Sequence, residues 1–488
     1  MITGAASASG GPGNGVFISD GGTLRLASGL SATGAAATTE RFSDMLIVDA
    51  TRVGAGGATR ILVDYDPANL GHLTEGNGIE LVEVRDSSAS AAGAFALGNR
   101  VASGAYEYAL YHGGVAGDAE DGNWYLRSFL NVEPEESGQP VIELPNYRQE
   151  VPVDMAVPAL AHRLGLAVLG TYHDRAGEDY MLSAPGNVLQ GYQPPEEDEH
   201  RLWARAFTSS GKAGDNSSSL PSRHREFQKD GPRYDYDLDG IQLGLDLHRS
   251  LDEDGARNIA GAYFAASRMK ADVDAIQGGR GGKVSMDGYS LGAYWTHLAP
   301  SRWYLDAVGQ LTRYDNVRAK ASGGETVKPD GWGFAASLEG GYPFQLDEKW
   351  SLEPQAQLVY QYVDLGGSTH DRYGRIDFKD SDALYGRLGA RLARNWEKED
   401  GREHAFWLRA NLWHDFGAEA DTTFSAPDGQ NAVKLHTGLG GTWGQVGAGF
   451  NTQFRDNLNA FLAVDYEQSL ENSRAHGVSG RIGLQYTW

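Results

Sequence analysis

Cysteine is absent from the 488 residues, so neither a disulfide framework nor thiolate chemistry is available. Long apolar runs are missing too: none approaches the roughly 18 residues of a transmembrane helix. That excludes helical spans alone, because a barrel strand needs only ~9–11 alternating residues. Positive charge is in deficit. With 42 Lys and Arg against 65 Asp and Glu, the formal net charge of −23 argues against a nucleic-acid partner. The 13 histidines show no H-E-x-x-H or other ligand spacing, so no metal and no cofactor is expected.

Glycine (65 residues) and aromatics (10%) are plentiful. In the last stretch, Gly477 to Trp488, Val478, Ile482, Leu484, Tyr486 and Trp488 share one parity, while Ser479, Arg481, Gln485 and Thr487 share the other. Period two means a strand with one apolar and one polar face. From Arg201 onward twelve such segments begin near Leu202, Asp239, Ile259, Gly288, Trp303, Gly331, Ser351, Leu384, Phe406, Trp443, Asn459 and Val478. Charges collect on one face: Arg205, Asp306, Arg387, Arg391, Arg409, Asp465, Glu467 and Arg481. A barrel in lipid with a wet lumen has this pattern, and so does a sandwich with its polar face outside. Aromatic residues at strand ends (Trp303, Tyr304, Trp350, Trp396, Phe416, Trp443, Trp488) favour the membrane version as interfacial girdles. Links such as Asp252–Gly255, Ala299–Arg302, Asp347–Lys349 and Arg455–Asn457 are short, while Ser210–Arg233, Gly366–Asp382 and Ala418–Thr442 are long. Short turns at one rim and long loops at the other are the transmembrane barrel rule.

Before the barrel the period changes. Val157, Leu160, Leu164, Ala167, Val168 and Thr171 fall at helical spacing within a predicted helix of about 151–178. The 22 residues from Val157 to Glu178 would span about 33 Å as a helix, the thickness of a hydrocarbon core. If the N-terminal part lies outside the cell, this helix fits a passage through the lumen. Residues 1–131 are Gly-, Ala- and Ser-rich with short β-prone runs at Gly22–Ala27, Asp44–Asp49, Thr59–Tyr65 and Gly78–Val84. They suit a stacked solenoid, with a β-sandwich as competitor. The aromatic runs Ala105–Tyr111 and Asn123–Ser128 would cap its end. The Pro- and Glu-rich stretch Val132–Pro140 marks a boundary, giving domains 1–131, 132–200 and 201–488.

A final aromatic with Tyr two residues earlier and apolar residues at the preceding alternate positions resembles the assembly signal of bacterial outer-membrane barrels, here Ile482, Leu484, Tyr486 and Trp488. The runs Gly76–Val84, Ala105–Tyr111 and Asn123–Ser128 together resemble the end of pertactin-like passengers, and Pro158–Arg175 the linker helix of monomeric autotransporters of type V secretion. The resemblance implies an all-β chain: a 12-stranded transmembrane barrel with a helix threading its lumen, after the end of a right-handed parallel β-helix passenger. It also implies a monomer in outer-membrane lipid and lipopolysaccharide, served by periplasmic chaperones and the barrel assembly machinery. The chain would anchor an adhesin-like passenger that meets a host-surface ligand. Met1–Ser7 shows no export signal, so the chain is expected to be a fragment lacking its signal peptide and upstream sequence. Zero cysteine suits a periplasmic transit. An upstream esterase or protease passenger, or a porin-like channel, are the competing functions.

Three motifs have plainer readings. Gly288–Gly292 matches G-x-S-x-G, but Ser290 sits inside an alternating strand rather than on an elbow turn. Asp235, Asp237 and Asp239 nearly match an EF-hand loop without flanking helices, which makes a solvated loop edge the better reading. Asn146, the Asn just before the helix, is the candidate for passenger cleavage, which some autotransporters perform inside the barrel at an Asn with acidic neighbours. No residue is assigned a catalytic role, and the chain is not expected to be an enzyme.

Overall fold

A computed structural model describes residues 15–28, 44–67, 71–132, 141–177, 200–253, 255–399, 401–455, 457–471 and 474–488. They form two compact units: residues 1–151 with 369–377 and 423–434, and the remainder of 152–488.

The second unit is built on one sheet, in which twelve long strands are joined by two two-residue strands. Barrel strands one to six are Arg201–Ala213, Tyr234–Leu251, Arg257–Asp274, Arg280–Leu298, Tyr304–Ala321 and Gly331–Gly341. Strands seven to twelve are Trp350–Asp364, Ser381–Glu397, Glu403–Asp415, Thr442–Arg455, Leu458–Ser469 and His476–Thr487. Each pairs antiparallel with its sequence neighbours, and strand one pairs with strand twelve, Arg201 opposite Thr487. The barrel is closed, with no free edge.

Which face points out is now decided. Leu291 and Leu388 are about two-thirds exposed (66% and 67%), and Ile241, Leu311, Leu338, Val446, Leu462 and Ile482 are exposed beside them. The charged parity faces the interior. An apolar outer wall around a polar lumen belongs in a bilayer, so the sandwich reading falls.

The structure corrects several expectations. Strand two starts at Tyr234 rather than near Asp239, and strand four at Arg280 rather than near Gly288. Their ladders continue beyond the apolar band, for example Tyr234 opposite Val273, where neither face need be apolar and the period-two signal fades. The long links hold structure of their own. The Ser210–Arg233 link contains a helix, Leu220–Asp230, N-capped by Ser219 and carrying Pro221 in its first turn. Short strands also lie at Ser368–His370, Arg375–Phe378, Glu419–Ser425 and Val433–Gly438. Two supposed girdle residues face inward instead: Tyr304 is 1% exposed, and Trp443 stacks on lumen-facing Trp413 at 5.6 Å.

Many glycines of the barrel wall have a specific use. A Cβ on Gly244 would lie 2.2 Å from the Trp203 ring, and one on Gly449 would lie 2.2 Å from that of Trp407. Each aromatic lies across the bare backbone of the neighbouring strand, which covers that backbone without narrowing the lumen.

The predicted helix is not continuous. Helix α1 spans Glu150–Leu169, and a short helix α2 spans Tyr172–Ala176. Gly170 (φ +64°) breaks the run in the left-handed region, and Thr171 starts α2 with a reciprocal capping box to Asp174. Pro158 lies inside α1. Glu178, the expected end, lies outside the described residues, as do Pro134–Pro140 and the Gln193–Glu199 connector.

The first unit stacks parallel strands one turn apart. Val16–Ser19 pairs with Ala50–Val53, Thr23–Ala27 with Thr59–Asp64, and Thr59–Ile61 in turn with Phe95–Leu97. Leu26, Ile61, Val63, Leu81, Val82 and Val84 form its interior. The pairing then becomes antiparallel among Val101–Ser103, Tyr106–His112 and Trp124–Arg127. Trp124 closes that end: Phe95 packs on it edge-on at 4.9 Å and His112 at 4.4 Å.

Candidate functional site

The lumen is occupied. Helix α1 is mostly apolar, interrupted by Glu150, Asp154, His162 and Arg163, and Val153, Val157, Leu160, Leu164 and Val168 have no exposed surface. Its slimness matters: a Cβ on Gly165 would stand 2.9 Å from Gln361 Nε2 and 3.2 Å from Tyr314 Oη. Reciprocally, a Cβ on Gly288 of strand four would stand 2.6 Å from Leu164.

An apolar helix in a polar barrel needs partners for the wall, and its own backbone supplies them. Tyr314 donates to Ala161 O (2.9 Å), Gln310 to Gly165 O (3.2 Å), Arg205 to Val168 O (2.5 Å) and Gln357 to Gly170 O (3.0 Å). In these contacts the wall donates to the backbone of the plug rather than to its side chains. Two side chains of α1 add specificity: Arg163 donates to Glu467 (2.9 Å), and His162 lies 2.9 Å from Ser381 Oγ. The helix runs from the long-loop rim, where Thr437 donates to Met155 O (3.2 Å), to the short-turn rim.

At that second rim α2 is held by charges. Arg175 pairs with Asp306, and His173 Nε2 lies 2.8 Å from Glu353. Asp174 accepts from Arg409 (3.0 Å) and from Arg481. Both guanidiniums also share Asp465, at 2.7 Å each. The backbone N–H of Tyr172 donates to Glu339 (2.9 Å), which Arg387 pairs at 2.9 Å and Tyr304 reaches at 2.8 Å. Buried ions are tolerable only when paired and hydrogen-bonded in this way. A cavity of about 170 Å³ lies beside the helix, lined in part by Arg163, Asp174, Arg205, Trp413, Glu467 and Arg481.

Seven of the eight lumen charges read from the sequence thus lie against the plug or one residue away. Arg391 instead stands with its guanidinium 5.1 Å above the Trp407 ring. Arg163, Asp174 and Arg175, charged residues of the plug that pair with the wall, were not singled out by sequence, nor were Glu339, Glu353, Gln310 and Gln357. A signal existed for some: Glu353, Gln355, Gln357 and Gln361 share one strand parity. Ile482, Leu484, Tyr486 and Trp488 lie on the outward, exposed face of strand twelve. Ser290 sits within strand four, its hydroxyl 2.8 Å from Thr312 Oγ1, away from any elbow. Asp235 is in strand two and paired by Lys212 (2.7 Å) and Arg474 (2.5 Å). Asn146 belongs to the first unit, where its side chain donates to Glu107 O (2.8 Å) and its backbone N–H to Ser128 O (2.7 Å).

Known proteins share these features. The autotransporter beta-domain family matches residues 202–465, and the type 1 autochaperone domain matches residues 14–110. The adhesin BmaC autotransporter of Brucella suis is 28% identical across 80% of the chain, which spans only 11% of that relative. Pertactin of Bordetella bronchiseptica is 29% identical across 53% of the chain, covering 27% of its own length. The crystal structure of the transport unit of autotransporter AIDA-I from Escherichia coli has the same fold, with a TM-score of 0.52 and 17% identity. That alignment covers 70% of the chain and 99% of the other. A closed barrel, apolar outside and filled by a helix that precedes it in sequence, therefore has its family: the chain belongs to the autotransporters.

Proposed function

We propose that the chain is the translocating and anchoring end of a surface adhesin. Residues 1–131 form the C-terminal end of a right-handed parallel β-helix passenger, 132–200 the linker, and 201–488 the barrel. The passenger works by binding a host-surface ligand rather than by catalysis. The observation that carries the anchoring role is the backbone-directed grip of the lumen on α1. Such a grip lets unrelated apolar or extended sequence pass before the final helix seats, and α2 then locks by its charges. Arg205, Asp306, Arg387, Arg409, Asp465, Glu467 and Arg481 are the locking residues, with Arg391 supporting the wall. Leu160, Leu164 and Val168 fill the lumen. Ile482, Leu484, Tyr486 and Trp488 present an exposed apolar row to the barrel assembly machinery, with periplasmic chaperones holding the chain beforehand. If the passenger is released, the bond beside Asn146 is the candidate site.

Conductance in planar bilayers tests this reading. The intact chain is expected to be closed, and a variant lacking residues 151–178 to open large, steady channels. Large steady conductance in the intact chain would overturn the plug and favour a porin.

A further inference from the structure

The first unit contains more than the N-terminal part of the chain. Residues 369–377 lie in the link between strands seven and eight, 423–434 in the link between nine and ten, and both are integral to it. The loop is pre-shaped: Asp371 Oδ1 accepts from the backbone N–H groups of Tyr373 (2.8 Å) and Gly374 (2.9 Å). Its other oxygen pairs with Arg148, a side chain with no exposed surface that also donates to Gly104 O (2.5 Å). Gly104 in turn donates its N–H to Tyr373 O (3.0 Å). The Tyr373 ring lies under two guanidiniums, Arg100 at 4.5 Å and Arg148 at 5.7 Å. Phe424, from the other link, lies 6.0 Å from Arg148. Arg100 then pairs with Glu107 (2.9 Å) and Glu150 (2.8 Å). Burial works against the Arg100 charge, yet Glu150 and Glu107 together hold its pKa above the ordinary guanidinium value. Fit is tight as well: a Cβ on Gly374 would stand 2.2 Å from Ser425 O and 3.3 Å from Gly104 N.

We infer that these two barrel loops are a folding template for the passenger's last turn, supplying in Asp371, Tyr373 and Phe424 the carboxylate and rings that pack on Arg100 and bury Arg148. The inference rests on residues 1–131 being passenger. Without the loop, Arg148 would lose Asp371 and keep only Glu150, at 3.8 Å, as its carboxylate, and the turn of residues 100–150 would lack one wall. The barrel would then act as an intramolecular chaperone for what it exports, and passenger folding would wait on a folded barrel.

The test uses the full chain in cells with three readouts: the heat-dependent gel shift of the barrel, surface labelling of residues 15–131, and protease resistance of the labelled part. In Asp371→Asn, shift and labelling should match the unaltered chain while cleavage of residues 15–131 runs about tenfold faster, with Asp371→Glu partly restoring resistance. Tyr373→Leu should do the same and decides the matter if Asp371→Asn loses the barrel shift. Unchanged protease resistance in a variant whose barrel shifts normally overturns the template. Absence of surface labelling in the unaltered chain would instead overturn the passenger reading.

Discussion

At the scale of single residues, the lumen turns on one carboxylate. Asp174 is shared by Arg409 and Arg481, and without it the single charge of Asp465 would have to compensate both. Replacing Asp174 by Asn leaves two guanidiniums facing each other with half their charge compensation, whereas replacing a rim charge such as Arg268, exposed and paired to Asp287, costs little. Asp174→Asn is expected to destabilise the detergent-folded barrel by about 3 kcal/mol, read as a lower midpoint in urea unfolding, with Arg268→Ala close to unchanged. Equal midpoints for the two variants would show that the buried cluster contributes nothing special. The glycines under Trp203 and Trp407 belong to the same scale: their abundance was visible in the composition, but which aromatic covers which glycine depends on the register between strands.

At the scale of elements, the twelve strands were readable because lipid and lumen impose opposite demands on alternate residues, as in Phe406 to Asp415. The signal ended where lipid ended, so strands two and four were placed too short, and Tyr304 and Trp443 were assigned to the wrong face. The helix was readable as apolar spacing, but its break was not. Gly165 and Gly170 look alike in sequence, and only Gly170 adopts φ +64°. The charged partners of α2 escaped because ion pairs between residues 174 and 481 leave no local pattern. Gly170→Val places a β-branched residue in the left-handed region, its Cβ 2.9 Å from Arg205 Nη1. It should cost more than about 1 kcal/mol and loosen the plug, seen as brief channel openings absent from the unaltered chain. A silent Gly170→Val trace would mean that α2 seats without this turn.

At the scale of the whole molecule, stability depends on what surrounds it. The outer row on strand twelve (Val478, Ile482, Leu484, Tyr486) has no protein partner on its outer face and is satisfied by lipid. Ile482→Arg sets a cation in that row and should cost about 2–4 kcal/mol if the position lies near the bilayer midplane. Boiled and unboiled samples compared on a gel should then show a smaller shifted fraction. A full shift would place Ile482 near the membrane surface instead.

The seam between the first and last strands also sets a schedule. Arg201 meets Thr487 across the whole length of the barrel sequence, so no earlier portion of the chain can close the cylinder on its own. Until strand twelve docks, strands one and eleven both present bare amide edges that hydrocarbon cannot solvate. A barrel that loses its twelfth strand is therefore an unfinished object that lipid rejects, and the seam works as a completeness check before the cell commits a pore to its envelope.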